Sequence, residues 1–156
     1  MKSWAIYILA AIGFIVYGAV TDVDRDGSGA IVGSGNVDAF NVQVGDCFND
    51  VSAYNGQVES VPGVPCSEPH DNETFAVYDV SFDSYPAEGN MDQLAYDGCM
   101  ARFESFVGTD YESSSLEIST MYPSVESWAQ NDREVVCAIY DMNANQLVGS
   151  AAGRGL

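Results

Sequence analysis

The sequence predicts an α+β fold: a small, mostly antiparallel sheet covered by one main helix, tied by two disulfides and preceded by a single N-terminal transmembrane helix. Three observations lead there. Residues 4–20 (WAIYILAAIGFIVYGAV) form an uncharged apolar run near the start of the 156-residue chain. Four cysteines, Cys47, Cys66, Cys99 and Cys137, all follow that run, and an even count downstream of an export signal favours disulfides over metal ligation. Several period-two apolar stretches surround one long stretch of period 3.6, the pattern of a sheet with a single covering helix.

The apolar run is read as an anchor. At about 1.5 Å per residue it spans roughly 26 Å, the short end of a membrane-crossing helix. Trp4 and Tyr17 sit near its two ends, where amphipathic rings prefer the headgroup level. Lys2 precedes it, whereas Asp22, Asp24 and Asp26 follow with only Arg25 in opposition. That charge bias predicts a cytoplasmic N-terminus and an extracytoplasmic C-terminal domain in a single-pass cell-membrane protein. A cleaved signal peptide is the competing reading, but Tyr17-Gly18-Ala19 would put a bulky ring at the −3 position of a cleavage site. The expected plan is an anchor over 1–20, a flexible acidic tether rich in Gly, Ser and Asp over 21–36, and an exported domain over 37–156.

Along the domain, residues 40–48 (FNVQVGDCF) alternate as a half-buried strand. Residues 51–60 read as loop or weak strand, and Pro62, Gly63 and Pro65 predict turns before Cys66. Residues 74–82 (TFAVYDVSF) are apolar on both faces, which predicts a central strand. Met91, Leu94, Ala95, Cys99, Arg102, Phe103, Phe106 and Val107 recur at helical steps between the capping residues Asn90 and Gly108. Residues 116–121, 134–140 and 147–151 follow as strands, with a short helical turn over 124–130. Four cysteines allow three pairings. Cys47 and Cys66 flank a turn-rich segment, and Cys99 on the helix needs a sheet partner, so Cys47–Cys66 and Cys99–Cys137 are expected.

Charge limits the partners. Beyond Lys2, only Arg25, Arg102, Arg133 and Arg154 stand against all 23 carboxylates, a net −19. A field of that sign excludes nucleic acid and attracts cations or basic partners. An acidic, almost lysine-free surface also suits a salty exterior.

Four pieces together carry a family resemblance. They are Val44-Gly45-Asp46-Cys47-Phe48; Val64-Pro65-Cys66-Ser67-Glu68-Pro69-His70-Asp71; a helix carrying Cys99, Phe103 and Val107-Gly108; and Tyr122-Pro123, Ser127-Trp128, Asp132-Arg133, Val136-Cys137 and Gly149-Ser150. The combination, over residues 42–150, resembles the septum-formation domain family of membrane-anchored or lipid-linked bacterial envelope proteins. The resemblance implies an exported domain with a link to the division septum or cell wall, and implies no particular catalytic activity.

No arrangement of residues specifies a reaction, so the expected function is a non-enzymatic, membrane-tethered interaction domain without cofactor or metal. Its expected partners are the membrane, through residues 4–20, and an envelope protein or cell-wall component. An envelope hydrolase or a small-ligand receptor is the alternative. Asp22-Val23-Asp24-Arg25-Asp26-Gly27 opens like a calcium loop, but Gly33 stands where the closing bidentate carboxylate belongs. Ser67, His70 and Asp71 are triad residue types without a nucleophile elbow around the serine. Asn72-Glu73-Thr74 fits a glycosylation sequon and reads as a surface turn. The candidate binding surface comprises Glu68, His70, Asp71, Trp128 and Arg133. Within it, Arg133 is expected to pair with Asp46, Glu68 or Asp71, or to stack on Trp128, and His70 is expected near the surface.

Overall fold

The computed structural model describes residues 21–51, 58–87 and 90–156. Alternating and doubly apolar stretches pair into one antiparallel sheet of six strands. These are β3 (Gly35–Asp38), β4 (Cys47–Phe48), β5 (Ser60–Val64), β6 (Asn72–Asp79), β7 (Leu116–Met121) and β8 (Glu134–Asp141). A separate hairpin joins β1 (Asp24–Arg25) and β2 (Ile31–Gly33). The sheet order is β3-β5-β4-β6-β8-β7. β6 is central, as its two-sided apolar pattern requires, with β4 on one side and β8 on the other.

Helix α1 (Asn90–Val107) lies on one face of the sheet. Met91, Ala95, Cys99, Phe103 and Val107 recur every fourth residue, so one stripe buries them all. They pack with Phe75, Val135, Cys137, Ile139, Leu116 and Ile118 from the sheet. Gly108, at φ +88°, ends the helix in the left-handed conformation that costs glycine least. A shorter helix, α2 (Val125–Ala129), starts at a reciprocal cap in which Ser124 and Ser127 hydrogen bond each other's backbone N–H.

Both expected disulfides form. Cys47–Cys66 spans 5.2 Å between Cα atoms, and Cys99–Cys137 spans 5.5 Å, tying α1 to β8 through the core.

Several expectations require correction. Among the described residues no helix is long and apolar enough to cross a membrane. The α+β domain with two disulfides is therefore described without the transmembrane helix, and the single-pass placement that rested on it is withdrawn. Residues 4–20 themselves lie outside the described residues. Residues 21–36 are not a loose tether: they form β1, β2 and the start of β3. They dock through a bridge between Asp22 and Asn36 and a bidentate pair between Arg25 and Asp46, at 2.6 and 2.7 Å.

The expected strand over 40–48 is a short 3-10 turn (Ala39–Asn41) with Phe40 exposed, a loop with Val44 exposed, and only then β4. Pro62 and Gly63 lie inside β5 rather than in turns. Gly63 is required there, because a Cβ would lie 2.8 Å from side-chain carbons of both Val23 and Val37. Residues 147–151 form no strand and contribute one isolated bridge, His70 to Leu147.

Candidate functional site

The second face of the sheet is covered unevenly. Val23 and Ile31 of the hairpin, with Val42, pack over the β3–β5 side. Toward β4, β6, β8 and β7 the described residues leave a groove of about 460 Å³, with Val51 and Val58 on its rim. The strand pleat that aims Val135, Cys137 and Ile139 at α1 turns Ala138 and Tyr140 the other way, into this groove. On β7, Leu116 and Ile118 are buried while Ser119 and Met121 line the groove. Phe48, Val61 and Ala138 are buried at its base. Its margin carries Asp50, Asp71, Asn72, Asp141 and Asn145.

The margin is hydrogen bonded into a fixed frame. Asp71 accepts from the Asp50 N–H at 3.0 Å and from Gln146 Nε2 at 3.2 Å. Asn72 Nδ2 donates to Asp50 at 2.8 Å. Asp141 Oδ1 accepts from the backbone N–H groups of Asn143 and Asn145 and from Asn145 Nδ2. Those bonds favour the charged form and hold the Asp141 carboxyl below its ordinary pKa.

Of the five residues expected to share a binding surface, only Asp71 lines this groove. Glu68 is exposed on the turn after Cys66. His70 is fully buried, not superficial. Its Nδ1 lies 2.8 Å from the Glu68 carbonyl oxygen, which can only accept, so Nδ1 carries the proton. Trp128 and Arg133 lie toward the other end of the β6–β8 pair, where Asp79 faces Glu134, whereas Asn72 faces Tyr140 near Asp71. At about 3.3 Å per residue, the two ends are roughly 23 Å apart, so the expected surface divides into two clusters.

Arg133 does stack on Trp128, with its guanidinium carbon 3.5 Å from the ring centroid. It donates to the carbonyls of Trp128 at 3.0 Å and Asp132 at 2.6 Å. It does not pair with Asp46, whose carboxylate, 3% exposed, is held by Arg25. Tyr85 closes the cluster edge-on against Trp128.

The remaining motifs resolve structurally. Asp26 folds its carboxylate back on its own turn, accepting from the Ser28 N–H, the Ser28 hydroxyl and the Ala30 N–H. Ser67 is exposed while His70 is buried and bonded to a carbonyl, so the two do not form a nucleophile and base. Asn72 of the sequon is buried at the start of β6 rather than on a surface turn. Glu73 is fully buried, accepting from the Ser150 hydroxyl at 2.5 Å and the Ala151 N–H at 2.6 Å. Its carboxylate lies within 4.8 Å of both sulfurs of the Cys47–Cys66 bridge. Among the described residues this is the one group of three potential metal ligands, and two of the three are joined to each other.

The family model described as septum formation matches residues 29–152. No curated protein and no solved structure matches the chain. The match begins inside the β1–β2 hairpin, in keeping with the docking of that hairpin onto the sheet.

Proposed function

The chain belongs to the septum-formation family, and from that premise we propose that it is a non-catalytic interaction domain working in an oxidising space outside the cytoplasm. Membership gives it a septum-related role in the cell envelope. The observation that carries the finer reading is the groove: an apolar-based, acid-margined concavity on a sheet face over which, among the described residues, only Val51 and Val58 extend from its rim. The disulfides support the compartment, since all four cysteines are paired and such bonds persist where thiols are oxidised. The groove's chemistry supports a non-catalytic role: its lining holds no imidazole, amine or thiol, and hydrogen bonds hold the Asp141 carboxyl below its ordinary pKa, which makes it a weak general base. A small-ligand receptor is the second reading, favoured by a volume in the range of small-molecule sites.

Filling the groove tests the proposal. Ser119 is half-buried on β7 at its wall. Ser119→Trp, replacing the resident gene, should disturb septum placement or number while protein level, melting temperature and both disulfides stay as in the unaltered protein. Normal septa in such cells would refute the groove as the working surface.

A further inference from the structure

We propose that the groove binds a cationic amphipathic peptide segment, one apolar side chain resting on the base and flanking Lys or Arg side chains meeting Asp50, Asp71 and Asp141. This rests on reading the groove as the interaction site and names its occupant. Charge complementarity selects this occupant, because every arginine of the chain is engaged elsewhere. Arg25 is bound to Asp46. Arg102 lies over the Tyr78 ring and donates to the Gly98 carbonyl on α1, across the sheet. Arg133 covers Trp128. Arg154 donates to the Val148 carbonyl at 3.2 Å. No arginine is left to neutralise the three carboxylates at the groove, and among the described residues the only ion pair is the one at Asp46. Hydrogen bonds to backbone N–H groups keep Asp141 charged.

The base selects a second feature. Phe48, Val61 and Ala138 offer no polar side-chain atom, so a purely hydrophilic cation would leave that area unmatched. A second copy of this chain, itself at −18, is repelled, as are nucleic acid and anionic lipid. The groove is walled by β7, an edge strand whose one neighbour is β8, so an extended segment can enter from the side.

The test uses the full chain and three synthetic peptides of about twelve residues: alternating Lys and Leu around one Trp, the same with Glu for Lys, and a Lys/Ser peptide. Binding is followed by calorimetry at low salt. The Lys/Leu peptide should bind saturably at one site, and the other two should not. Asp50→Asn, Asp71→Asn and Asp141→Asn together keep shape and remove charge, and should weaken binding by at least about tenfold. Asp92→Asn with Glu104→Gln, exposed on α1 over the opposite face, should change it by less than about twofold. Ser119→Trp should abolish it.

Equal loss in the α1 variant would mean a diffuse field rather than a site, and equal binding of the Lys/Ser or Glu peptide would mean the wrong occupant. Either outcome overturns the inference. If groove filling disturbs septa in cells while the Lys/Leu peptide does not bind, the occupant is wrong and the interaction reading stands. If neither effect is seen, both fall.

Discussion

Removing the Arg25 guanidinium strands a carboxylate that is 3% exposed. Asp46 then keeps one backbone donor, the Gln43 N–H at 2.8 Å, and no counter-charge. Arg25→Ala should therefore cost roughly 2–4 kcal/mol in chemical denaturation, because an unpaired buried charge is worse than no charge at all. Arg25→Lys should recover only part, since an ammonium lacks the two-pronged donor geometry. Wild-type stability for Arg25→Ala would show that the hairpin does not depend on this pair. Glu134 tests the opposite situation. Burial first, then Asp79 across the β6–β8 pair and Asp132 nearby, hold its carboxyl above the ordinary glutamate value. The folded state therefore disfavours the charged form and loses stability as pH rises through that raised value. Glu134→Gln should stabilise the domain near pH 7 by about 0.5 kcal/mol, or ~2 °C. That advantage should vanish below about pH 4, where glutamic acid is itself neutral. A benefit that persists in acid would contradict the repulsion.

Packing between elements turns on small residues. The Tyr78 side chain reaches from β6 to α1, its hydroxyl donating to the Ala95 carbonyl at 3.2 Å. A Cβ on Gly98 would fall 1.9 Å from that oxygen. Alanine is the better helix former by about 1 kcal/mol, yet Gly98→Ala should destabilise by about 1–3 kcal/mol because the overlap dominates. Combined with Tyr78→Ala, the clash disappears, and the double variant should be more stable than the sum of the singles implies; additivity would rule out the contact. The same scale explains which elements are readable from sequence. Helix α1 and strands β6, β7 and β8 each carry their own periodicity, so local pattern suffices. Strand β5 does not, because Pro62 and Gly63 look like punctuation until Val23, Ile31 and Val37 close over Gly63. The β1–β2 hairpin has the Gly, Ser and Asp content of a linker, and it becomes structure through distant contacts: the pairing of Arg25 with Asp46, 21 positions away, and the packing of Val23 and Ile31 on the sheet. His70 is buried by Leu147 pairing from the far end of the domain. The groove is harder still to read: five strands contribute one to three residues each, and of its acidic margin only Asp71 belonged to a recognisable motif.

At the scale of the whole molecule, 23 carboxylates against five basic residues make self-repulsion a general term in stability. Raising NaCl from about 10 mM to about 1 M shortens the screening length from ~30 to ~3 Å. The melting temperature should climb steadily over that range, and a flat or falling curve would mean that the acidic groups are compensated locally. Strand order has a different consequence, one in time. β6 is apolar on both faces, and its partner β8 lies about sixty residues later, after α1 and β7. At ~5–20 residues per second of synthesis, the centre of the sheet waits several seconds with one edge unpaired, and Cys99 waits for Cys137, 38 positions later. If, as proposed, the domain works in an oxidising space, a chain entering it in that interval is open to wrong disulfides and to edge-to-edge association. A holding chaperone and a disulfide isomerase are therefore the helpers whose loss should most reduce the yield of native protein.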